Sequence, residues 1–145
     1  MRVNLQCALS IAVLAGLAGA ALRATYAGDR PGPDEVWSTK KVMDKCFLGK
    51  QSLVAVVNKD LQRTEPDWKS DEVNLTEIIR LMSMLTRQKP LRGSQEAWDE
   101  LVQDYVRKAK AAQQNIKECK LQLARGSLVL VLSTCDNCHD THGIK

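Results

Sequence analysis

From Ser94 onward, apolar side chains recur as Trp98, Leu101, Val102, Tyr105, Ala109, Ala112 and Ile116. Steps of three and four put them in one stripe along a helix of about six turns. A helix with a single apolar stripe is stable only when other elements cover it. The chain supplies three more such stripes. Residues 34–61 carry Val36, Met43, Cys46, Phe47, Leu53, Val54, Val57 and Leu61, with Pro33 and Asp34 suited to a first turn. Residues 70–88 carry Leu75, Ile78, Ile79, Met82 and Leu85, and near the chain end Leu128, Val131, Leu132, Cys135 and His139 share one face.

Breakers separate these segments. Thr64-Glu65-Pro66 ends the first, Lys89-Pro90-Leu91-Arg92-Gly93 ends the second, and Ser94 is a good N-cap for the third. Between the third and fourth, the obvious break is Arg125-Gly126-Ser127. A break there would give helices of very unequal length, whereas an antiparallel hairpin prefers matched ones. The turn is therefore expected at Lys117–Lys120, with Gly126 inside the last helix at a cost of about 1 kcal/mol relative to Ala. Asn74-Leu75-Thr76 has the spacing of a glycosylation acceptor but reads as helix. The expected fold is all-α, an antiparallel up-down-up-down four-helix bundle. That topology gathers Met43, Cys46, Phe47, Met82, Leu85, Trp98, Leu101 and the Cys135–His139 stretch at one end.

The first residues read as a leader. Arg2 provides a positive start, and an apolar run from Cys7 to Leu22 contains no acid. Small residues offer cleavage after Ala20 or Ala27. The run is about 16 residues, short of the roughly 20 that a membrane-spanning helix needs. Cys7 follows Asn-Leu-Gln and not a lipobox. Residues 1–27 are thus expected to be a signal peptide and 28–145 a single domain, periplasmic or secreted, with no membrane attachment after cleavage. The whole chain has 21 basic and 17 acidic residues, and losing Arg2 and Arg23 leaves 19 against 17. So slight an excess gives no case for nucleic-acid binding.

Cys135, Cys138 and His139 spell C-x-x-C-H. This spacing suits covalent haem attachment. Two thiols one helical turn apart can each add across a vinyl group to form a thioether, and the adjacent imidazole of His139 reaches the iron. Zinc is a second reading, with Cys135, Cys138 and His142 as ligands and Cys46 or His139 as the fourth; the separate second ligand pair of structural zinc sites is missing. A redox dithiol is a third, but it belongs at a helix start after a strand, in a βαβ pattern.

Together these features resemble the cytochrome c-prime family, the type II c-type cytochromes. The resemblance covers essentially the whole chain after the leader and rests on C-D-N-C-H-D-T-H, on T-K-K-V-M-D-K-C-F and on K-P-L-R-G-S-Q-E-A-W. It implies one covalent haem c on Cys135 and Cys138, with His139 as proximal iron ligand. Met43 stands where the methionine branch places its sixth ligand, Met82 being the next candidate. A thioether there raises the reduction potential and leaves little room for substrate. The implied role is electron transfer to a redox partner protein, not enzyme catalysis. The other branch of the family is five-coordinate and binds NO or CO. Lys40 or Arg92 would meet a haem propionate, Phe47 and Trp98 would pack on the haem, and a homodimer through the first two helices is implied. The zinc-stabilised helical module stands as a third class.

Three side chains complete the expectations. Cys46 would lie near the haem end and Cys119 at the other, too far apart for the roughly 7 Å limit of a disulfide. Cys46 would then line the pocket, and Cys119 would be free or pair between chains. His142, three residues beyond His139, is expected at the surface.

Overall fold

The computed structural model describes residues 36–143. The leader, its cleavage positions and the helix start at Asp34 lie outside the described residues. The chain is all-α, as the periodicity indicates, and the described residues contain no strand. Its helices are α1 (Thr39–Phe47), α2 (Leu53–Leu61), α3 (Trp68–Ser83), α4 (Gln95–Lys117) and α5 (Leu121–His142), with a 3-10 turn at Met84–Arg87 after α3. Among the described residues no helix is long and apolar enough to cross a membrane.

The single helix expected over residues 34–61 is two helices. Gly49, at φ +83°, takes a left-handed conformation that other residues rarely adopt, and it follows the extended Leu48 that closes α1. Ser52 then starts α2 by accepting a hydrogen bond from the Ala55 N–H. Ser38 caps α1 in the same way through Lys41. The break changes what is buried. Val36 is exposed, whereas Trp37, Val42 and Cys46 enter the core and Met43 and Phe47 lie partly buried against it.

The other boundaries follow local chemistry. Asp67 caps α3 through the Ser70 N–H, and Ser94 caps α4 through the Ala97 N–H. Asn74 is buried inside α3, so the glycosylation triplet is helix interior. The turn between α4 and α5 falls at residues 118–120, where length matching places it, and Cys119 takes φ +52° there. Gly126 lies within α5.

Long-range hydrogen bonds set the register. Lys108 Nζ donates to Thr134 Oγ1 at 2.9 Å, and Asn115 Nδ2 to Ser127 Oγ at 2.8 Å, so α4 and α5 run antiparallel. Gln113 Nε2 donates to Thr76 Oγ1 at 2.7 Å, and Trp98 Nε1 to the Leu85 carbonyl at 2.7 Å, pairing α3 antiparallel with α4. Arg125 Nε donates to the Leu61 carbonyl at 2.7 Å, which ties α5 to the end of α2. Helix α1 packs on α2 and α3. The core contains Leu75, Ile78, Leu81, Trp98, Tyr105, Ile116 and Val131, each nearly or fully buried. Large apolar side chains buried to this extent contribute about 1.5–3 kcal/mol each.

Cys46 is a free, fully buried thiol, so no Cys46–Cys119 disulfide forms. Cys119 is nonetheless disulfide-bonded, which corrects the expectation of a free thiol.

Far from the motif in sequence, Asp71 in the first turn of α3 is 1 % exposed, and neither carboxyl oxygen has a hydrogen-bond partner. Asp60 and Asp67 lie close by; Asp60 bonds Arg63 at 2.7 Å and accepts the Asp67 N–H. Burial, then the charges of Asp60 and Asp67, push the Asp71 carboxyl up to about 7, against the opposing pull of Arg63. The folded chain therefore holds a proton that the unfolded chain releases near pH 4. Between about pH 4 and 7 unfolding releases that proton, so this group's contribution to stability falls as pH rises through the window. Thermal melts at pH 5 and pH 8 check this: Asp71→Asn should raise the midpoint at pH 8 and flatten its pH dependence. An unchanged slope would contradict it.

Candidate functional site

The last turns of α5 place Cys135, Cys138, His139 and His142 at helical positions i, i+3, i+4 and i+7, all on one face. Their surroundings differ. Cys135 and Cys138 are half-buried, His139 is exposed, and His142 is completely buried. The expectation that His142 lies at the surface is therefore corrected. Its Nδ1 donates to the Arg92 carbonyl at 2.6 Å, since a carbonyl can only accept, and its ring meets Trp98 edge-on at 5.1 Å. The loop between α3 and α4 thus closes over the end of α5. One turn earlier, the same face opens onto a pocket.

That pocket has a volume of about 1030 Å³. Met43 and Phe47 of α1, Val54 and Ala55 of α2, and Met82 and Leu85 at the end of α3 form one side of its lining. Trp98, Leu101 and Tyr105 of α4 and Cys135, Cys138 and His139 of α5 form the other. Every element contributes, and the lining is mostly apolar. Phe47 and Tyr105 meet edge to face with ring centroids 6.0 Å apart. Trp98 is fixed by its indole N–H on the Leu85 carbonyl.

The structure therefore brings together Cys135, Cys138, His139, Met43, Phe47, Trp98 and Lys40. Lys40 sits at an exposed edge and bonds Asp44, one turn on. Two expected contributors are elsewhere. Arg92 is not in the lining, and its side chain lies across Gly143, 3.0 Å from where a Cβ would stand. Cys46 is also absent from the lining; it is fully buried in the core, where burial, then Glu77 and Cys135, raise its thiol. Met43 and Phe47, one turn apart on α1, line the pocket, while Val42 and Cys46 on the adjoining face are buried in the core.

Electrostatics bear on the chemistry. Burial pushes the Cys135 thiol up to about 11, with the charge of Asp136 and then Cys138 adding to it. Burial also raises Cys138. Both cysteines stay protonated at neutral pH, which is the wrong state for a thiolate-driven redox pair. Burial likewise pushes Cys46 up to about 12 and raises the Tyr105 phenol. Among the described residues, no group of three His, Cys, Asp or Glu side chains is arranged to hold a metal ion by itself.

Sequence reasoning missed three residues. Lys89 is an exposed cation in the lining, inside the Lys-Pro-Leu-Arg-Gly breaker where Arg92 drew attention. Tyr105 reads from the sequence as core packing against a haem or the first helix, yet its buried hydroxyl lacks a partner. His142 was legible from face arithmetic, since it shares the stripe of Cys135 and Cys138.

The pocket suits a haem-sized group. Its volume is at the upper end of the roughly 300–1,000 Å³ typical of ligand pockets. It is apolar, and two free thiols one turn apart adjoin an accessible imidazole.

Urea denaturation of the haem-free chain tests the two histidine environments. His142→Ala should cost about 2–4 kcal/mol through the lost bond and the cavity it leaves. His139→Ala should stay within about 0.5 kcal/mol. Equal costs would contradict the assignment. No known protein family, curated protein or solved structure matches this chain.

Proposed function

We propose that this protein is an exported mono-haem c-type cytochrome that carries one electron. The helices then form a four-helix bundle in which α1 and α2 together take the first position. One observation carries the reading: a single apolar pocket of about 1030 Å³ holds both motif thiols, His139 and Met43 in its lining. The haem, when bound, supplies iron that cycles between ferrous and ferric.

The chain's own residues divide the remaining work. Cys135 and Cys138 would hold the group by thioethers, which prevents its loss outside the cell. His139 would give the iron its fixed ligand. Met43 approaches from α1, and a thioether at the sixth position favours the ferrous state. Phe47, Trp98 and Leu101 exclude water from the apolar part. Lys40 and Lys89, both exposed in the lining, would meet the two carboxylates. The leader of residues 1–27 supports export, and covalent attachment suits an exported chain. The zinc reading draws no support from the side-chain arrangement.

The absorption spectrum of protein purified from a host with haem-attachment machinery tests this. A sharp reduced α band, unchanged by CO, is expected. Met43→Leu should broaden it to a high-spin spectrum that shifts with CO. A wild-type spectrum that already shifts with CO would favour a five-coordinate gas-binding protein, and no Soret band would sink both haem readings.

A further inference from the structure

Tyr105 is 2 % exposed, lines the pocket, and has no hydrogen-bond partner for its hydroxyl. An unpaired buried hydroxyl destabilises the fold, and phenylalanine would fill the same space without that cost. The ring of Phe47 covers one side at 6.0 Å and offers no acceptor. Packing therefore accounts for the ring of Tyr105 but not for its oxygen.

The hairpin register fixes its level in the pocket. Lys108 on α4 bonds Thr134 on α5. Tyr105 is three residues before Lys108, so in the antiparallel pair it is level with the α5 turn that carries Cys135 and Cys138. On the α1 side, Phe47 touches Tyr105, and Met43 is one turn before Phe47.

We infer that Tyr105 is a ligand-contact residue whose phenol O–H donates a hydrogen bond to the atom at the sixth iron position. This rests on the haem reading above. The carboxylates of a haem lie on the edge opposite its two vinyl groups. A residue level with Cys135 and Cys138 would stand on the thioether side, away from the carboxylates. Tyr105 meets Phe47 on the α1 side of the pocket, which Met43 also lines, so the acceptor at that level would be a group held there. Two sources offer it: the Met43 thioether, a weak acceptor, or a small diatomic molecule at an open site.

Tyr105→Phe in the haem-loaded protein is the test, because it removes one oxygen that has no partner and keeps the packing. If Met43 occupies the site, the reduction midpoint should shift. If the site is open, the C–O stretching frequency of the reduced CO complex should rise as the donor is lost. A ring-fluorinated tyrosine at position 105, a stronger donor, should move the same observable the opposite way. Haem bound at the wild-type level with both observables unchanged overturns the inference and leaves the haem reading intact. Absence of a pyridine haemochrome from the wild-type protein overturns both.

Discussion

The antiparallel register of α4 and α5 is the constraint on which the rest depends. Lys108–Thr134 and Asn115–Ser127 fix it along the pair, and the His142–Arg92 bond closes it at the motif end. Because α4 also pairs with α3 through Gln113–Thr76 and Trp98–Leu85, three helices share one alignment. A slip of one turn, about 5.4 Å, would carry Cys135 and Cys138 out of level with Tyr105. It would also pull His142 from the Arg92 carbonyl and leave a buried polar group unpaired.

The pocket end carries a packing cost. A cavity of about 1030 Å³ among apolar side chains forfeits packing contacts, and the Tyr105 hydroxyl and His142 Nε2 are buried without partners. A pocket that gains an occupant recovers those contacts. Asp71 is a different case: its cost comes from burial, grows as pH rises, and lies in the first turn of α3, away from the lining.

Much of this arrangement is legible in the residues. The apolar stripe of Trp98, Val102, Tyr105, Ala109, Ala112 and Ile116 gives α4 its buried face almost residue for residue, and length matching locates the turn after Lys117 despite the decoy at Gly126. The division of the first segment is not legible. Gly49 falls between apolar residues that keep their helical spacing, and a lone glycine in such a pattern is often tolerated. Only its positive φ, with Ser52 ready to cap a new helix, ends α1. Helical spacing gives His142 its face, but its burial and the distance of the Arg92 side chain from the pocket depend on a loop folding back over a helix end, which local spacing does not encode.

The central claim is that Cys135 and Cys138 hold a haem covalently in the pocket. The most direct measurement is acid–acetone extraction of the purified protein, followed by mass spectrometry of its proteolytic peptides. The account predicts that haem stays with the chain and adds its mass to the peptide containing Cys135 and Cys138. Extraction that leaves those peptides unmodified, with both thiols free to alkylate, would contradict it.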